Sequence, residues 1–306
     1  MTREDEYVRR ELPAGLRLLD LPQAMTGFRQ FIASWFFVDP SGRRILVDPG
    51  PASSIDLLLD KLSEVTDGVD LVLLTHIHLD HSGGIGQFCE RRREAKVLAH
   101  PKARRHLLDP GKLWSASIHT LGDIAKMYGE PAPLDPGALL EGCEVPGVTT
   151  IETPGHAPHH LSFIAPFEGE KLFFAGEAAG LCIPMETASS PYIHPTTPPK
   201  YDHATARDSL CKLEAAISGD ELLCYSHWGL SRDARTMISL AKKQIDEWLK
   251  IISGMADQPE DAIVDRLLSE DPLLSGYADL PDDLRERERI FIRSSVTGFL
   301  MYIAEG

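Results

Sequence analysis

The chain has 306 residues, 43% of them apolar and 25% charged, which suits a globular protein with one large domain or one domain plus a smaller appendage. Its 31 Lys and Arg against 46 Asp and Glu leave a formal net charge of −15. That balance disfavours DNA or RNA as partner, because a nucleic-acid binder needs basic surface to replace phosphate counterions. The dense basic runs Arg91–Arg93 and Lys102–Arg105 are short and read as solvated helix faces. Five cysteines, an odd count without a CxxC pair, fit free thiols in a reducing cytoplasm. The acidic start Met1–Glu6 has no apolar signal core, and no stretch approaches the roughly 20 apolar residues that span a bilayer. A chain this long can bury a core without structural metals, so a cluster of metal-ligating residues is read first as functional.

In chain order, residues 31–38 and 44–47 are rich in β-branched and aromatic residues around the turn Asp39–Pro40–Ser41–Gly42, which predicts a hairpin. The breaker cluster Asp48–Pro49–Gly50–Pro51 follows, then a helix from Ser54 to Leu62. A short buried strand over 69–74 runs into a histidine cluster. After Gly83–Gly84 come an amphipathic helix carrying Ile85 and Phe88, and a strand over 97–99. Alternating strands and helices point to a layered α/β arrangement. Residues 109–144, with their prolines and glycines, read as an excursion with one helix over 115–128, of the kind that shapes pockets. Strands are expected over 148–152, 161–165 and 171–175, then a proline-rich excursion over 180–200. A helix through Ala206, Leu210, Leu213 and Ile217 and a strand over 221–225 follow. From Arg232 onward the pattern is helical: Met237, Ile238, Ala241, Ile245, Trp248, Leu249 and Ile252 form one stripe, with further helices over 262–268 and 284–303. This divides the chain into a domain over 1–231 and a helical region over 232–306.

The chemistry sits in Thr75–His76–Ile77–His78–Leu79–Asp80–His81–Ser82–Gly83–Gly84. Imidazole and carboxylate are natural ligands of zinc and similar divalent ions. Strand-like alternation would put His76 and His78 on one side, and the turn at the glycines would bring Asp80 and His81 to a neighbouring point.

This run resembles the Thr-His-x-His-x-Asp-His-x-Gly-Gly signature of the metallo-β-lactamase superfamily. The resemblance extends to Ile45–Gly50, to Thr153–Pro154–Gly155–His156–Ala157–Pro158–His159–His160, to Phe173–Phe174–Ala175–Gly176–Glu177 and to Tyr225–Ser226–His227–Trp228–Gly229. It covers about residues 15 to 230 in family order. It implies an α+β fold, a four-layer αβ/βα sandwich with metals at one edge, here with a C-terminal helical appendage. Position by position it implies His76, His78 and His156 on a first metal, and Asp80, His81 and His227 on a second. The family's bridging aspartate falls on Glu177, whose extra methylene moves the carboxylate by about 1.5 Å. His160 matches a histidine near the site that is not a ligand. Asp48 is read as a partner that orients a ligand histidine, and Tyr192 and His194, on the excursion after Glu177, as candidates for contact with substrate.

Within the family, zinc β-lactamases place a cysteine where Glu177 stands, flavodiiron proteins need His-x-Glu in the first motif, and the nuclease branches carry large added domains. What remains are hydrolases of small-molecule thioesters, esters or lactones, the glyoxalase II and lactonase branch. The resemblance implies two divalent ions, zinc first, with iron or manganese as other candidates. It also implies attack by a metal-bound hydroxide, with Asp80 orienting it and taking a proton. The expected partners are a small-molecule substrate, no nucleic acid and no membrane, with a homodimer as an option for the helical tail. Two other readings stay open: a mononuclear iron oxidoreductase of the persulfide-dioxygenase kind, and a metal-binding protein without turnover.

Overall fold

The structure is a computed structural model that describes residues 12–183, 192–219 and 221–305. The acidic start Met1–Glu6 and Pro191 lie outside the described residues.

Two five-stranded sheets face each other. The first contains β1 (Arg17–Asp20), β2 (Ala33–Val38), β3 (Arg44–Val47), β4 (Leu71–Leu73) and β5 (Lys96–Leu98), in that order. The pairs β1/β2 and β2/β3 are antiparallel, and β3/β4 and β4/β5 are parallel. The second contains β6 (Thr149–Glu152), β7 (Leu161–Phe167), β8 (Glu170–Phe174), β11 (Glu221–Cys224) and β12 (Leu230–Ser231). Their order is β12-β11-β8-β7-β6, with β8/β11 the parallel pair. A separate ribbon pairs β9 (Leu181–Ile183) with β10 (Tyr192–His194).

Side-chain alternation builds the layers. Trp35, Phe37, Ile45, Val47, Leu71 and Leu73 of the first sheet meet Phe163, Leu172, Phe174 and Leu222 of the second in one buried core. Their chain neighbours Phe36, Leu46, Val72, Phe173 and Leu223 point the other way, into a core shared with the helices. Helices therefore cover the outside of both sheets, which is the four-layer αβ/βα arrangement of an α+β protein. These helices are α1 (Ile55–Ser63), α2 (Leu79–Ser82), α3 (Ile85–Arg91), α4 (Arg104–Leu108), α5 (Gly111–Leu121), α6 (Asp123–Tyr128), α7 (His203–Ala216), α8 (Ala234–Ser253), α9 (Glu260–Glu270) and α10 (Asp282–Glu305). Asp202 and Asp233 cap α7 and α8 by accepting from the Thr205 and Thr236 amides. The stripe Met237, Ile238, Ala241, Ile245, Trp248 and Ile252 of α8 is buried in the same core as Phe36 and Val72, together with Ile292, Val296 and Phe299 of α10.

Several details depart from the expected elements. The single helix over 115–128 is two helices, α5 and α6, broken at Gly122, whose φ of +57° an L-residue with a side chain would resist. The strands β1, β9, β10 and β12 have no strong alternation and were not expected. The strand before the histidines ends at Leu73, so His76 and His78 stand on a loop.

Candidate metal centre

The cluster lies where neighbouring strands end. His76 and His78 follow β4, His156 lies between β6 and β7, Glu177 follows β8, and His227 follows β11. Asp80 and His81 sit on the one-turn helix α2, which begins at once after His78. The fold thus brings all seven expected donors to one edge of the sandwich. They fall into two groups, His76–His78–His156–Glu177 and Asp80–His81–His227, with the donor atoms of each group within 4.8 Å of one another.

His78 Nδ1 lies 3.1 Å from His76 Nε2 and 3.0 Å from His156 Nε2. Glu177 Oε2 lies 3.0 Å from His76 Nε2, 2.9 Å from His156 Nε2 and 3.2 Å from His81 Nε2, and its Oε1 lies 3.3 Å from His227 Nε2. Its carboxylate therefore touches donors of both groups. Asp80 Oδ2 stands 3.6 Å from His81 Nε2 and 3.5 Å from His227 Nε2. Two donors about 2.1 Å from a common ion, at angles between octahedral and tetrahedral, lie roughly 3.0–3.4 Å apart. The observed spacings are of that size.

A second observation supports the same fit. His81 Nε2 is buried and has no hydrogen-bond partner, although three carboxylates surround its ring. A buried polar nitrogen left so is costly unless something binds it. Protonation divides the cluster. Burial, then the neighbouring imidazoles, hold the His78 pKa down at about 4, and burial and His81 hold His76 well below its ordinary value. Burial alone would lower His81, but the carboxylates of Asp80, Asp48 and Glu177 outweigh it and raise this pKa. Burial would likewise raise Glu177, but His156 and His227 draw it well down, so it is ionised. Ionised carboxylates with neutral imidazoles are the form that binds a divalent ion: His76 and His78 already stand in it, whereas His81 and His156, whose pKa values the carboxylates raise against their burial, would give up a proton on binding.

Each ring except that of His78 is aimed by a bond from its other nitrogen. His156 Nδ1 donates to the Thr196 carbonyl at 2.8 Å, and His227 Nδ1 to the Phe31 carbonyl at 3.2 Å. Asp48 is the hub for two more. It accepts from the Thr75 amide (2.8 Å), the Thr75 hydroxyl (2.6 Å), Ser226 Oγ (3.2 Å) and His81 Nδ1 (3.3 Å). The Thr75 hydroxyl donates its hydrogen bond to Asp48, so its lone pair accepts from His76 Nδ1 at 3.0 Å. One carboxylate thus sets two imidazoles. His160 is not among the donors: its Nε2 accepts from the Glu177 amide at 3.0 Å and its Nδ1 faces Thr153 Oγ1 at 2.8 Å. A Cβ on Gly176 would come within 2.4 Å of His160 Nε2, so only glycine allows the histidine to fix the Glu177 backbone.

Two expected site residues belong elsewhere. The side chains of Tyr192 and His194 are buried and face α10 instead of the cluster. His194 Nε2 is 2.9 Å from Glu288 Oε2, and its ring stacks on Trp248 at 6.2 Å. The antiparallel ribbon turns these residues toward the C-terminal helices, which their place in the chain after Glu177 does not reveal. Conversely, sequence reasoning gave no role to Thr75, Thr196 or Phe31. Thr75 belongs to the histidine motif itself, while Phe31, stacked on His227 at 4.1 Å, carries no local signal.

With this geometry in hand, comparison with known proteins places the chain. The profile described as "Metallo-beta-lactamase superfamily" matches residues 29–227. The chain belongs to the metallo-beta-lactamase superfamily. It is 30% identical over 202 residues to a metallo-beta-lactamase fold-containing protein of Sulfurisphaera tokodaii, covering 61% of this chain and 69% of that one. It is 25% identical over 207 residues to a hydroxyacylglutathione hydrolase of Saccharophagus degradans, covering 66% of this chain and 64% of the relative. The chain thus spans under two thirds of that hydrolase. A metallo-beta-lactamase family protein from Thermus thermophilus superposes with a TM-score of 0.64 at 22% identity, covering 96% of this chain and 94% of that one. That likeness shows the superfamily fold. Among the described residues no helix is long and apolar enough to cross a membrane.

Proposed function

We propose that this protein hydrolyses a small-molecule ester, thioester or lactone with two divalent ions, zinc first, held by His76, His78 and His156 and by Asp80, His81 and His227, with Glu177 between them. The observation that carries this reading is the Glu177 carboxylate, which reaches donors of both groups. When bound, such ions polarise an acyl carbonyl and lower the pKa of a water from about 15.7 to about 7. The remaining work belongs to side chains. Asp80 is the more open of the two carboxylates, its side chain 16% exposed against 6% for Glu177, so it can orient a water and take its proton. Asp48, Thr75, His160 and the two backbone carbonyls keep the donors from turning away. The names of the hydroxyacylglutathione hydrolases among the relatives support hydrolysis, and the five free cysteines suit a reducing cytoplasm.

The test is elemental analysis of protein purified without chelators, joined to turnover of a panel of thioesters, esters and lactones. Two zinc or other non-redox ions per chain, with turnover lost in Asp80→Ala and His76→Ala variants that still fold, is the expected result. A single iron per chain would replace this reading with an oxidoreductase. Retained turnover in both variants would end it.

A further inference from the structure

The second basic run is exposed, as a solvated helix face should be, and it borders a groove. Lys102, Arg104, Arg105 and His106 line one wall of a groove of about 630 Å³, and Pro158 and His159 of the His156 loop line the other. No acidic side chain lines it. Among the described residues none of Lys102, Arg104 and Arg105 has a carboxylate partner, whereas Arg91 of the first basic run pairs with Asp56 at 2.6 Å. In a chain of net charge −15, three cations without a carboxylate partner on one groove are a local reversal of sign, although Arg105 Nε donates to His106 Nε2 at 3.0 Å. Of the neighbouring acids, Glu152 stands 3.7 Å from His100.

The groove adjoins the metal centre. The ring of His159 lies 6.3 Å from that of His78, and the Lys102 ammonium donates to the Pro158 carbonyl at 3.4 Å, which ties the turn before α4 to the loop that carries His156. Planar guanidinium groups are suited to carboxylate and phosphate, which they grip through two parallel bonds. We propose that this groove anchors an anionic group, carboxylate or phosphate, carried several bonds from the scissile carbonyl, so that the hydrolase takes acidic acyl compounds in preference to neutral ones. The inference rests on the hydrolase reading for its substrate, but not for its binding site.

Two arms test it and keep those readings apart. In the first, chelator-treated protein is titrated calorimetrically with glutarate and with inorganic phosphate, alongside an Arg104→Ala/Arg105→Ala variant of unchanged melting temperature. Binding of either anion that weakens about tenfold or more in the variant is expected, a loss in keeping with charge-assisted bonds. Glutarate binding alone would assign the groove to a carboxylate, and phosphate binding alone to a phosphoryl group. Absence of binding, or equal binding by the variant, overturns the proposal. In the second arm, zinc-loaded enzyme is given three thioesters of equal acyl length: pentanoyl-N-acetylcysteamine, its glutaryl counterpart, and the pentanoyl thioester of 3-mercaptopropionate. A kcat/KM at least about tenfold higher for one acidic thioester, falling toward parity in the variant, is expected. Turnover of all three at similar rates overturns the groove and leaves the hydrolase standing. If none turns over, the hydrolase reading fails for thioesters and the first arm alone decides the groove.

Discussion

Arg287 is one of the residues through which the C-terminal helices reach the candidate metal centre, and replacing it with methionine should cost more than any surface change. Arg287 and Glu288 of α10 are both fully buried. The guanidinium donates to Glu288 Oε1 at 2.7 Å and to the carbonyls of Gly27 and Arg29 at 2.8 Å each. It also stands 4.9 Å over the Phe31 ring, which stacks on His227 and on Phe291. Gly27 has no room for a side chain, since a Cβ there would lie 2.3 Å from the Asp283 carbonyl. Arg287→Met would leave Glu288 with only His194 as partner and would orphan two carbonyls. Breaking a buried pair from one side costs about 3–5 kcal/mol.

For a chain of this length about 2 °C of melting temperature is lost per kcal/mol, so a fall of roughly 6–10 °C is expected by calorimetry. Arg287→Met/Glu288→Leu removes both charges and should recover a good part of that loss, because two apolar groups need no pairing. Zinc content of the single variant should also fall, as the stack that backs His227 loosens. A single variant within about 1 kcal/mol of the parent in urea titrations, or a double variant no better than the single, would refute the account of a buried pair under strict mutual dependence.

Two further perturbations address other parts of the molecule. Asp48→Asn keeps the shape but offers an amide where Thr75 and His81 both donate; zinc affinity should drop about 10–100-fold against a competing chromophoric chelator, and a change under twofold would deny Asp48 its orienting part. Burial works to raise the Glu221 carboxyl, but the Ser218 hydroxyl and the amides of Ser218 and Gly219 outweigh it and bring its pKa from 4.5 to about 2. Its folded value is depressed, so the unfolded chain takes up the proton first: the stabilisation is whole above about pH 4.5 and is lost as pH falls toward 2. The gap in unfolding free energy between parent and Glu221→Gln should therefore narrow from pH 6 to pH 3, and a gap of constant size would contradict this assignment.

The donors were legible because each lies in a short motif at a strand end, where chain neighbours are also spatial neighbours. His76, His78, Asp80 and His81 lie within six residues, and His156, Glu177 and His227 each follow a readable strand. Asp48 was legible for the same reason, since it closes β3 beside β4. Contacts made across the fold left no such trace. Phe31 meets His227 through the bridge between Ile32 and His227, it meets Phe291 because the C-terminal helix packs on that segment, and Glu288 meets His194 across 94 residues. Tyr192 and His194 were misplaced by the same gap: position along the chain suggested the metal centre, while the ribbon β9/β10 decides which way they face. Gly122 was visible as a residue, but its positive φ, which divides α5 from α6, is a property of the folded chain.

These long-range contacts explain why the helical region is more than a cover. A centre of five imidazoles and two carboxylates packed at about 3 Å is electrostatically awkward without an ion, and it persists only if its surroundings are rigid. Rigidity of the first sheet's half comes from Asp48, which locks His76 through Thr75 and His81 directly. On the other side it comes from His160 beneath Glu177 and from the Thr196 carbonyl behind His156. His227 has only the Phe31 carbonyl and ring, and the segment bearing Phe31 is itself held by Arg287 from α10. Thr197 closes the same loop from the opposite direction, donating to the Ser295 carbonyl of α10 at 2.7 Å. One helix therefore braces the backbone behind His156 and the backbone behind His227 together. Loosening α10 should disturb both donor groups at once, which a helix that merely shielded apolar surface would not do.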